Sequence, residues 1–229
     1  MMHYLLYKIL TLVKTFTLTA SALLFLLSLS AIAMQPKLHW HRQSLGLSQE
    51  APNYISSDGL VKVAFLDLDG TIRISGTDVE IISNTSQIRI LPGVVEKLIE
   101  LKNQGYFIAI TSNHAWVPKT VPHDKASLLI YETILLLNQA GAIVHYYDYA
   151  GDNADALKPE PGMAKILDSK LKEIGLKIDY PHSFMIGDDG YGRNTSDSGF
   201  AKSLDIPYKD AQSFFGWKKG CKEALTGRY

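Results

Sequence analysis

Short apolar runs alternate with helical patterns over most of the chain. The strand candidates are residues 61–66 (VKVAFL), 106–110 (YFIAI), 142–147 (AIVHYY) and 183–187 (SFMIG). Residues 92–105, 124–141 and 161–175 repeat apolar side chains at helical spacing, and each of these patterns ends at a glycine. Short strands that alternate with helices predict an α/β fold, a Rossmann-like parallel sheet with helices on both faces.

The ends of the predicted strands carry acids, hydroxyls and a nearby lysine. Two acids follow the first strand, hydroxyl and amide side chains follow the second, two acids follow the fourth, and a lysine precedes the third helix. These residues are Asp67, Asp69, Thr111, Ser112, Asn113, Lys158, Asp188 and Asp189. Ligands of parallel sheets bind beyond the carboxyl ends of the strands, so this edge is the predicted functional site.

The acids at this edge predict a site for a cation and a phosphate. Asp67 and Asp69 share one face of an ideal strand, and Gly70 lets the chain turn directly after them. With Asp188 they would place three negative charges near one point, which raises their pKa values or recruits a cation. Oxygen ligands alone favour a hard ion such as Mg²⁺. Mg²⁺ and Lys158 would hold a phosphate dianion against a carboxylate, as phosphoryl transfer requires.

The N-terminal segment has the pattern of a secretory signal. No acidic residue occurs before Glu50, and two lysines precede an uncharged apolar run that ends in Ala-Ile-Ala at 31–33. Cleavage of residues 1–33 would give an exported protein. The uncharged run is also long enough to span a bilayer as an uncleaved anchor, and a start of translation at Met34 would give a cytoplasmic protein.

Charge and cysteine content restrict the possible partners. Lysine and arginine total 23, as do aspartate and glutamate, so loss of the two leader lysines leaves a small acidic excess. Proteins that grip duplex DNA non-specifically carry a basic surplus, so we expect no tight duplex binding. We expect a monomer that contacts membranes only through its N-terminal segment. The single cysteine, Cys221, excludes an intrachain disulfide and a cysteine-rich zinc site.

Four short motifs resemble the haloacid dehalogenase superfamily of aspartate-nucleophile phosphatases. They are DLDGT at 67–71, TSN at 111–113, KP at 158–159 and GDD at 187–189. The resemblance implies that Asp67 attacks phosphorus and forms an aspartyl-phosphate, and that Asp69 is first the general acid and then the base. It also implies that Thr111 binds a phosphoryl oxygen and that Lys158 steadies the nucleophile and the phosphate.

The same resemblance implies the remaining members of the site. Asp67, Asp188 and the backbone carbonyl of Asp69 would hold Mg²⁺, and either Asp189 or Asp197 would complete the metal site. The residues expected to bind substrate are Gly70, Thr71, Ser112, Asn113 and Arg193.

Several residues near these motifs have other interpretations. Asp197 has an alternative role as the N-cap of a helix that starts at Ser198. We expect ordinary packing rather than substrate contact for His114 and Trp116. Residues 39–41 (HWH) lie in a predicted polar lead-in arm at 34–58 and have no assigned role.

The C-terminal part of the chain resembles the polynucleotide 3′-phosphatase domain of polynucleotide kinase-phosphatases. The matching residues are Arg193, Ser196-Asp197, Phe200-Ala201, Ile206-Pro207-Tyr208, Phe214-Phe215 and Trp217. The resemblance covers residues 60–217 and implies a phosphatase domain at 59–217, followed by a tail at 218–229. It implies a 3′-phosphate at a nucleic-acid end as the substrate. The chain departs from that family in reading TSNH instead of Thr-Asn-Gln, and in lacking the kinase phosphate loop.

The spacing of the motifs favours a capless fold with an open site. No long insertion follows the first or second motif, and residues 72–90 are predicted to form only a short flap. An open site suits a large substrate such as a nucleic-acid end. The alternative is a small-molecule phosphatase that acts on a sugar phosphate, histidinol phosphate, heptose bisphosphate or nucleotide. Histidinol and heptose phosphatases usually carry a cysteine-rich zinc loop, whereas residues 114–157 contain no cysteine. The intact acids and lysine argue against a non-enzymatic phosphate-binding module.

Overall fold

The computed structural model describes residues 56, 58–77, 81–114, 117–192 and 194–218. The predicted leader and nearly all of the lead-in arm and C-terminal tail lie outside these residues. No helix within the described ranges is long and apolar enough to cross a membrane.

A five-stranded parallel sheet forms the centre of the described domain. The described residues form nine strands, of which five belong to this sheet. They are β1 (Leu60–Val61), β2 (Val63–Leu66), β3 (Arg73–Ser75), β4 (Ile88–Ile90), β5 (Phe107–Ser112), β6 (Tyr146–Tyr149), β7 (Lys177–Ile178), β8 (Phe184–Gly187) and β9 (Tyr208–Asp210). The central sheet has the order β6-β5-β2-β8-β9, and every neighbouring pair in it is parallel. The predicted parallel sheet is confirmed, with β2, the strand that leads into Asp67, at its centre.

Helices cover both faces of this sheet. They are α1 (Val94–Asn103), α2 (His123–Gln139), α3 (Gly162–Glu173), α4 (Asp189–Gly192), α5 (Ser196–Ser203) and α6 (Ala211–Phe215), with short 3₁₀ helices at Thr85–Gln87 and Tyr180–His182. The first three correspond to the three predicted helical patterns, and their ends lie within about two residues of the prediction, the usual uncertainty of a helix boundary.

Side chains of the central strands alternate between two hydrophobic cores. On β2, Ala64 and Leu66 pack in the core that includes α1 and α2, whereas Val63 and Phe65 pack in the core that includes α3 and α5. All four side chains are buried. A parallel strand covered on both faces needs apolar residues at every position, and residues 63–66 therefore form an uninterrupted apolar run.

The first predicted strand, 61–66, is divided at Lys62. Residues 60–61 pair with β7 instead of extending β2. At the start of β2, the backbone N–H of Val63 donates to the hydroxyl oxygen of Ser183 at 2.9 Å, not to a neighbouring strand. A side chain distant in sequence thus sets the boundary, and the apolar pattern could not indicate it.

The third predicted strand, 142–147, is displaced toward the C-terminus. It begins only at Tyr146, because the N–H of Val144 donates to the side-chain oxygen of Asn138 at 3.1 Å. The strand continues to Tyr149, beyond the predicted end, and pairs with the last residues of β5.

An antiparallel ribbon of β3 and β4 occupies the region predicted to be a short flap. Within the described part of residues 72–90, the only other element is the 3₁₀ helix at Thr85–Gln87. The described residues therefore contain no cap domain at this position.

The end of the described chain packs under the start of α1. The indole N–H of Trp217 donates to the carbonyl oxygen of Pro92 at 2.6 Å, and its ring stacks on Phe215 with centroids 5.0 Å apart. Both aromatic side chains belong to the core that contains α1 and α2.

Candidate active site

A buried lysine joins two carboxylates at the carboxyl edge of the sheet. Nζ of Lys158 lies 2.7 Å from Oδ1 of Asp67, at the end of β2, and 2.5 Å from Oδ1 of Asp197, in the first turn of α5. The Lys158 side chain is only 1% exposed. An ammonium group at this depth requires partners of opposite charge, and the two aspartates supply them.

Three carboxylates converge beside this lysine. One oxygen each from Asp67, Asp188 and Asp197 lies within 4.8 Å of the others. When all are ionised, three carboxylates and one ammonium carry a formal charge of two negative units, which one divalent cation would balance. The donors are all oxygen atoms, and this set suits Mg²⁺.

Two glycines make room for these carboxylates. Gly70 has a φ of +87°, and a Cβ atom there would overlap the carboxylate of Asp188. A Cβ atom at Gly187 would overlap the side chain of Asp197. The turn after Asp67 and the end of β8 can therefore approach the acids only because both positions lack a side chain.

The crowded charges change the acid strength of the site. Burial, together with the charges of Asp197 and Asp188, raises the pKa of Asp67 to about 8, although Lys158 opposes the change. Burial alone would lower the pKa of Lys158, but Asp197 and Asp67 raise it above its usual value. The lysine is therefore charged at neutral pH, and a bound cation would favour the ionised form of Asp67.

Asp69, the predicted general acid and base, is held by two partners. Nε of Arg73 donates to its Oδ1 at 2.7 Å, and Nε2 of His114 lies 2.9 Å from its Oδ2. Burial would raise the pKa of Asp69, but the Arg73 charge and the His114 hydrogen bond hold it well below its usual value. Burial lowers the pKa of His114 itself, so a neutral ring donates from Nε2.

Sequence reasoning missed Arg73 and His114. His114 is buried, in line with the expectation of packing, but that expectation did not include the contact of its ring with a predicted catalytic carboxylate. Arg73 is fully buried, and the only signal for it was a charge inside the apolar segment IRI directly after DLDGT. Its other contacts are with α2, about sixty residues away.

Asn113 supports Lys158, although it was expected to bind substrate. Its side-chain oxygen accepts from the backbone N–H of Lys158 at 2.7 Å, and its amide donates to the carbonyl oxygen of the same residue at 3.0 Å. Both ends of the Asn113 amide are thus used within the protein. This pair of bonds connects the end of β5 to the segment that carries the buried lysine.

Two threonines offer hydroxyl groups without internal partners. Oγ1 of Thr71 and Oγ1 of Thr111 are buried and have no hydrogen-bond partner within the described residues. A buried hydroxyl normally has a partner, so these atoms fit their predicted role as groups for a bound phosphate. Ser112 is also buried, at the last position of β5. Arg193 and Trp116 lie outside the described residues.

Asp189 and Asp197, the two candidates for the additional acid of the metal site, have different positions relative to helix α5. Oδ1 of Asp189 accepts from the backbone N–H groups of Asp197 and Ser198, each at 2.9 Å. Asp189 therefore caps the helix and is not part of the three-carboxylate cluster. The helix starts at Ser196, so the predicted N-cap role of Asp197 is wrong, and its carboxylate instead faces Lys158.

The sequence model of the family described as polynucleotide kinase 3 phosphatase matches residues 62–215. The chain belongs to this family. The match runs from the start of the central sheet to α6, and so includes every acid and the lysine of the site described above. As a member of the polynucleotide kinase 3 phosphatase family, the protein is a phosphatase of the haloacid dehalogenase superfamily.

Relatives of this family member include proteins named as heptose bisphosphate phosphatases. The chain is 29% identical over 140 residues to D-glycero-beta-D-manno-heptose-1,7-bisphosphate 7-phosphatase of Photorhabdus laumondii, covering 56% of this chain and 70% of the relative. The Haemophilus influenzae enzyme of the same name is 30% identical over 138 residues, covering 56% and 71%. An uncharacterised 20.8 kDa protein of Autographa californica nuclear polyhedrosis virus is 28% identical, covering 70% and 90%.

Solved structures share the fold of this family member. A haloacid dehalogenase-like phosphatase from Mesorhizobium loti matches with a TM-score of 0.54 at 19% identity, covering 72% of this chain and 87% of the other. D,D-heptose 1,7-bisphosphate phosphatase from B. bronchiseptica, in complex with magnesium and phosphate, matches with a TM-score of 0.52 at 18% identity, covering 64% and 79%.

Proposed function

We propose that the protein is a Mg²⁺-dependent phosphomonoesterase that uses Asp67 as its nucleophile and removes a 3′-phosphate from a nucleic-acid end. The observation that carries the proposal is the buried Lys158 between Asp67 and Asp197, with Asp188 completing the carboxylate cluster. This arrangement supports a cation and a phosphate at one point, where two negative charges would otherwise repel each other.

The reaction has two steps on one aspartate. In the first, a carboxylate oxygen of Asp67 attacks phosphorus while the bond from phosphorus to the leaving oxygen breaks. Asp69 gives that oxygen a proton, so an alcohol leaves and an aspartyl-phosphate remains. In the second, water attacks the same phosphorus and returns a proton to Asp69. Inorganic phosphate departs and the Asp67 carboxylate is restored.

Each neighbouring side chain has a place in this reaction. Lys158 offsets the charge of the nucleophile and of the phosphate, and the hydroxyls of Thr71 and Thr111 offer hydrogen bonds to phosphoryl oxygens. Mg²⁺ bound by Asp67, Asp188 and Asp197 would neutralise further charge as the phosphoryl group is transferred. Arg73 and His114 favour the ionised Asp69 needed in the second step. The dianionic substrate favours the protonated form needed in the first.

The nucleic-acid substrate is supported by the family match and by the small size of the described segment after the first motif. β3 and β4 form a short antiparallel ribbon with one 3₁₀ helix between them, and a site without a cap domain suits a large substrate. The second candidate is a small sugar phosphate, which is favoured by the similarity to heptose bisphosphate phosphatases.

The test compares phosphate release from matched substrates in the presence of Mg²⁺. A 3′-phosphorylated oligonucleotide, its 5′-phosphorylated counterpart and heptose 1,7-bisphosphate are each offered to the wild-type protein and to Asp67→Asn. We expect kcat/KM to be highest for the 3′-phosphate and the Asp67→Asn variant to be inactive. Preference for the heptose substrate would refute the leading substrate assignment. Equal activity of Asp67→Asn would refute the nucleophile.

A further inference from the structure

We infer that Arg73 and His114 are positioning residues that fix the carboxylate of Asp69 for proton transfer to the leaving oxygen. This inference rests on the proposed function, in which Asp69 is the general acid and base. Arg73 and His114 are called the Asp69 clamp below.

The clamp holds the two oxygens of one carboxylate from two different elements. Arg73 belongs to β3 of the ribbon and contacts Oδ1, while His114 follows β5 and contacts Oδ2. A carboxylate held at both oxygens cannot rotate about its Cβ–Cγ bond without breaking a hydrogen bond. Each oxygen can accept a second bond, and the Asp69 side chain is 30% exposed. The carboxylate is thus fixed in orientation yet still accessible to a substrate or a water molecule.

Arg73 is held in place independently of Asp69. Its Nη1 donates to the carbonyl oxygen of Leu129 at 2.7 Å and to the hydroxyl of Thr133 at 2.6 Å, both on α2. The guanidinium group is planar, so anchoring Nη1 also restricts the direction in which Nε points. Arginine is rarely buried completely, and here the burial serves a contact with a single carboxylate.

His114 reaches Asp69 from an unusual backbone conformation. Its φ is +41°, in the left-handed region that residues other than glycine rarely adopt. The carbonyl oxygen of His114 accepts a hydrogen bond from the N–H of Val117 at 2.9 Å. Strained backbone that the surrounding structure maintains is often found where a side chain must be aimed at a functional group. Here the side chain aimed in this way contacts the predicted proton donor.

Substrates with different leaving groups can show whether the clamp positions Asp69 for proton transfer or only supports the fold. An alkyl alcohol is a poor leaving group and needs a proton as its bond to phosphorus breaks, whereas 4-nitrophenolate leaves with little help. A carboxyl group that is misaligned loses its advantage as a proton donor. Loss of the clamp should therefore slow the hydrolysis of an alkyl phosphate much more than the hydrolysis of 4-nitrophenyl phosphate.

The experiment measures kcat and KM for the 3′-phosphorylated oligonucleotide, an alkyl ester, and for 4-nitrophenyl phosphate. The variants are His114→Leu, which removes the donor, and His114→Gln, which offers an amide donor in its place. The matched control is His182→Leu, because His182 also pairs with an aspartate, Asp179, at 2.8 Å, but on the surface and away from the site.

We expect His114→Leu to lower kcat/KM for the alkyl ester by about 10- to 100-fold, within the contribution of a general acid. Its kcat/KM for 4-nitrophenyl phosphate should change by less than about fivefold on the same argument. The comparison uses kcat/KM because kcat also includes hydrolysis of the aspartyl-phosphate, which both substrates share. His114→Gln should recover part of the loss, and His182→Leu should match the wild type with both substrates. In an Asp69→Asn background, His114→Leu should cause little further loss, because the two residues act through one carboxylate.

Equal losses with the two substrates, or no loss with either, would overturn the inference while leaving the proposed function intact. A wild-type protein that hydrolyses neither ester would refute the proposed function and the inference together. If His114→Leu does not fold, His114→Gln and Arg73→Lys provide the same comparison between substrates.

Discussion

Replacement of Lys158 with methionine removes the only ammonium group found beside the three carboxylates in the described part of the chain. The new side chain has a similar length, so the change is chiefly one of charge. Asp67 and Asp197 would lose a partner at 2.7 and 2.5 Å respectively, and all three acids of the cluster are buried.

The expected loss of unfolding free energy in Lys158→Met is large because the ammonium group of Lys158 is buried. Removing one partner of a buried ion pair costs about 3–5 kcal/mol of unfolding free energy. For a domain of this size, 1 kcal/mol corresponds to about 2–4 °C in Tm, so the metal-free variant should melt about 6–20 °C below the wild type. The loss of unfolding free energy is limited because carboxylates of the cluster can take up a proton in the variant. Asp67 in the variant keeps its proton to higher pH than in the wild type, so the cost should grow as the pH rises through about 8.

Thermal and urea unfolding in EDTA, at pH 6 and pH 9, measure this difference. The control is Lys172→Met, which removes a surface partner of Asp168 at 2.6 Å and should cost less than about 1 kcal/mol. Added Mg²⁺ should raise the Tm of the Lys158→Met variant, since a cation bound to the folded state stabilises it. A loss below about 1 kcal/mol at both pH values would refute the argument that Lys158 compensates buried charge.

Three further predictions concern the same site. The apparent affinity for Mg²⁺, measured by calorimetry, should rise by up to about tenfold per pH unit and level off above about pH 8, because the ion must displace the proton from Asp67; a constant affinity would contradict the raised pKa. Asn113→Ala should lower kcat/KM at least about tenfold by releasing the backbone of Lys158, and unchanged kinetics would show that the two bonds have no effect on its position. Gly187→Ala should lower stability by about 1–3 kcal/mol in urea unfolding, because the methyl group overlaps Asp197; a neutral effect would contradict the tight approach.

The parallel sheet and most of the acidic site could be predicted because both depend on local patterns. Parallel strands buried on two faces are apolar throughout, and their carboxyl ends meet at one edge. Residues that follow such strands, including Asp67 and Asp188, are therefore brought together by the topology alone. Lys158 lies before a helix rather than after a strand, and it was assigned to the same edge because it precedes the third predicted helix. The resemblance to known phosphatases added only its expected role beside the nucleophile.

The remaining features depend on contacts that no local pattern records. Arg73 reaches Asp69 only because α2 anchors its guanidinium, and α2 lies about sixty residues away in sequence. His114 contacts the same carboxylate because of a backbone conformation that its residue type seldom adopts. The roles of Asp189 and Asp197 depend on where α5 begins, and helix boundaries are uncertain by a few residues in any prediction from sequence.

The contact between Trp217 and Pro92 affects how a fragment of this protein should be prepared. The family match ends at Phe215, and a fragment cut there would keep every side chain of the site. It would lose the indole that stacks on Phe215 and closes the core below α1. Such a fragment would present an aromatic surface to solvent and would be prone to self-association during expression. A fragment that extends beyond Trp217 retains this cover.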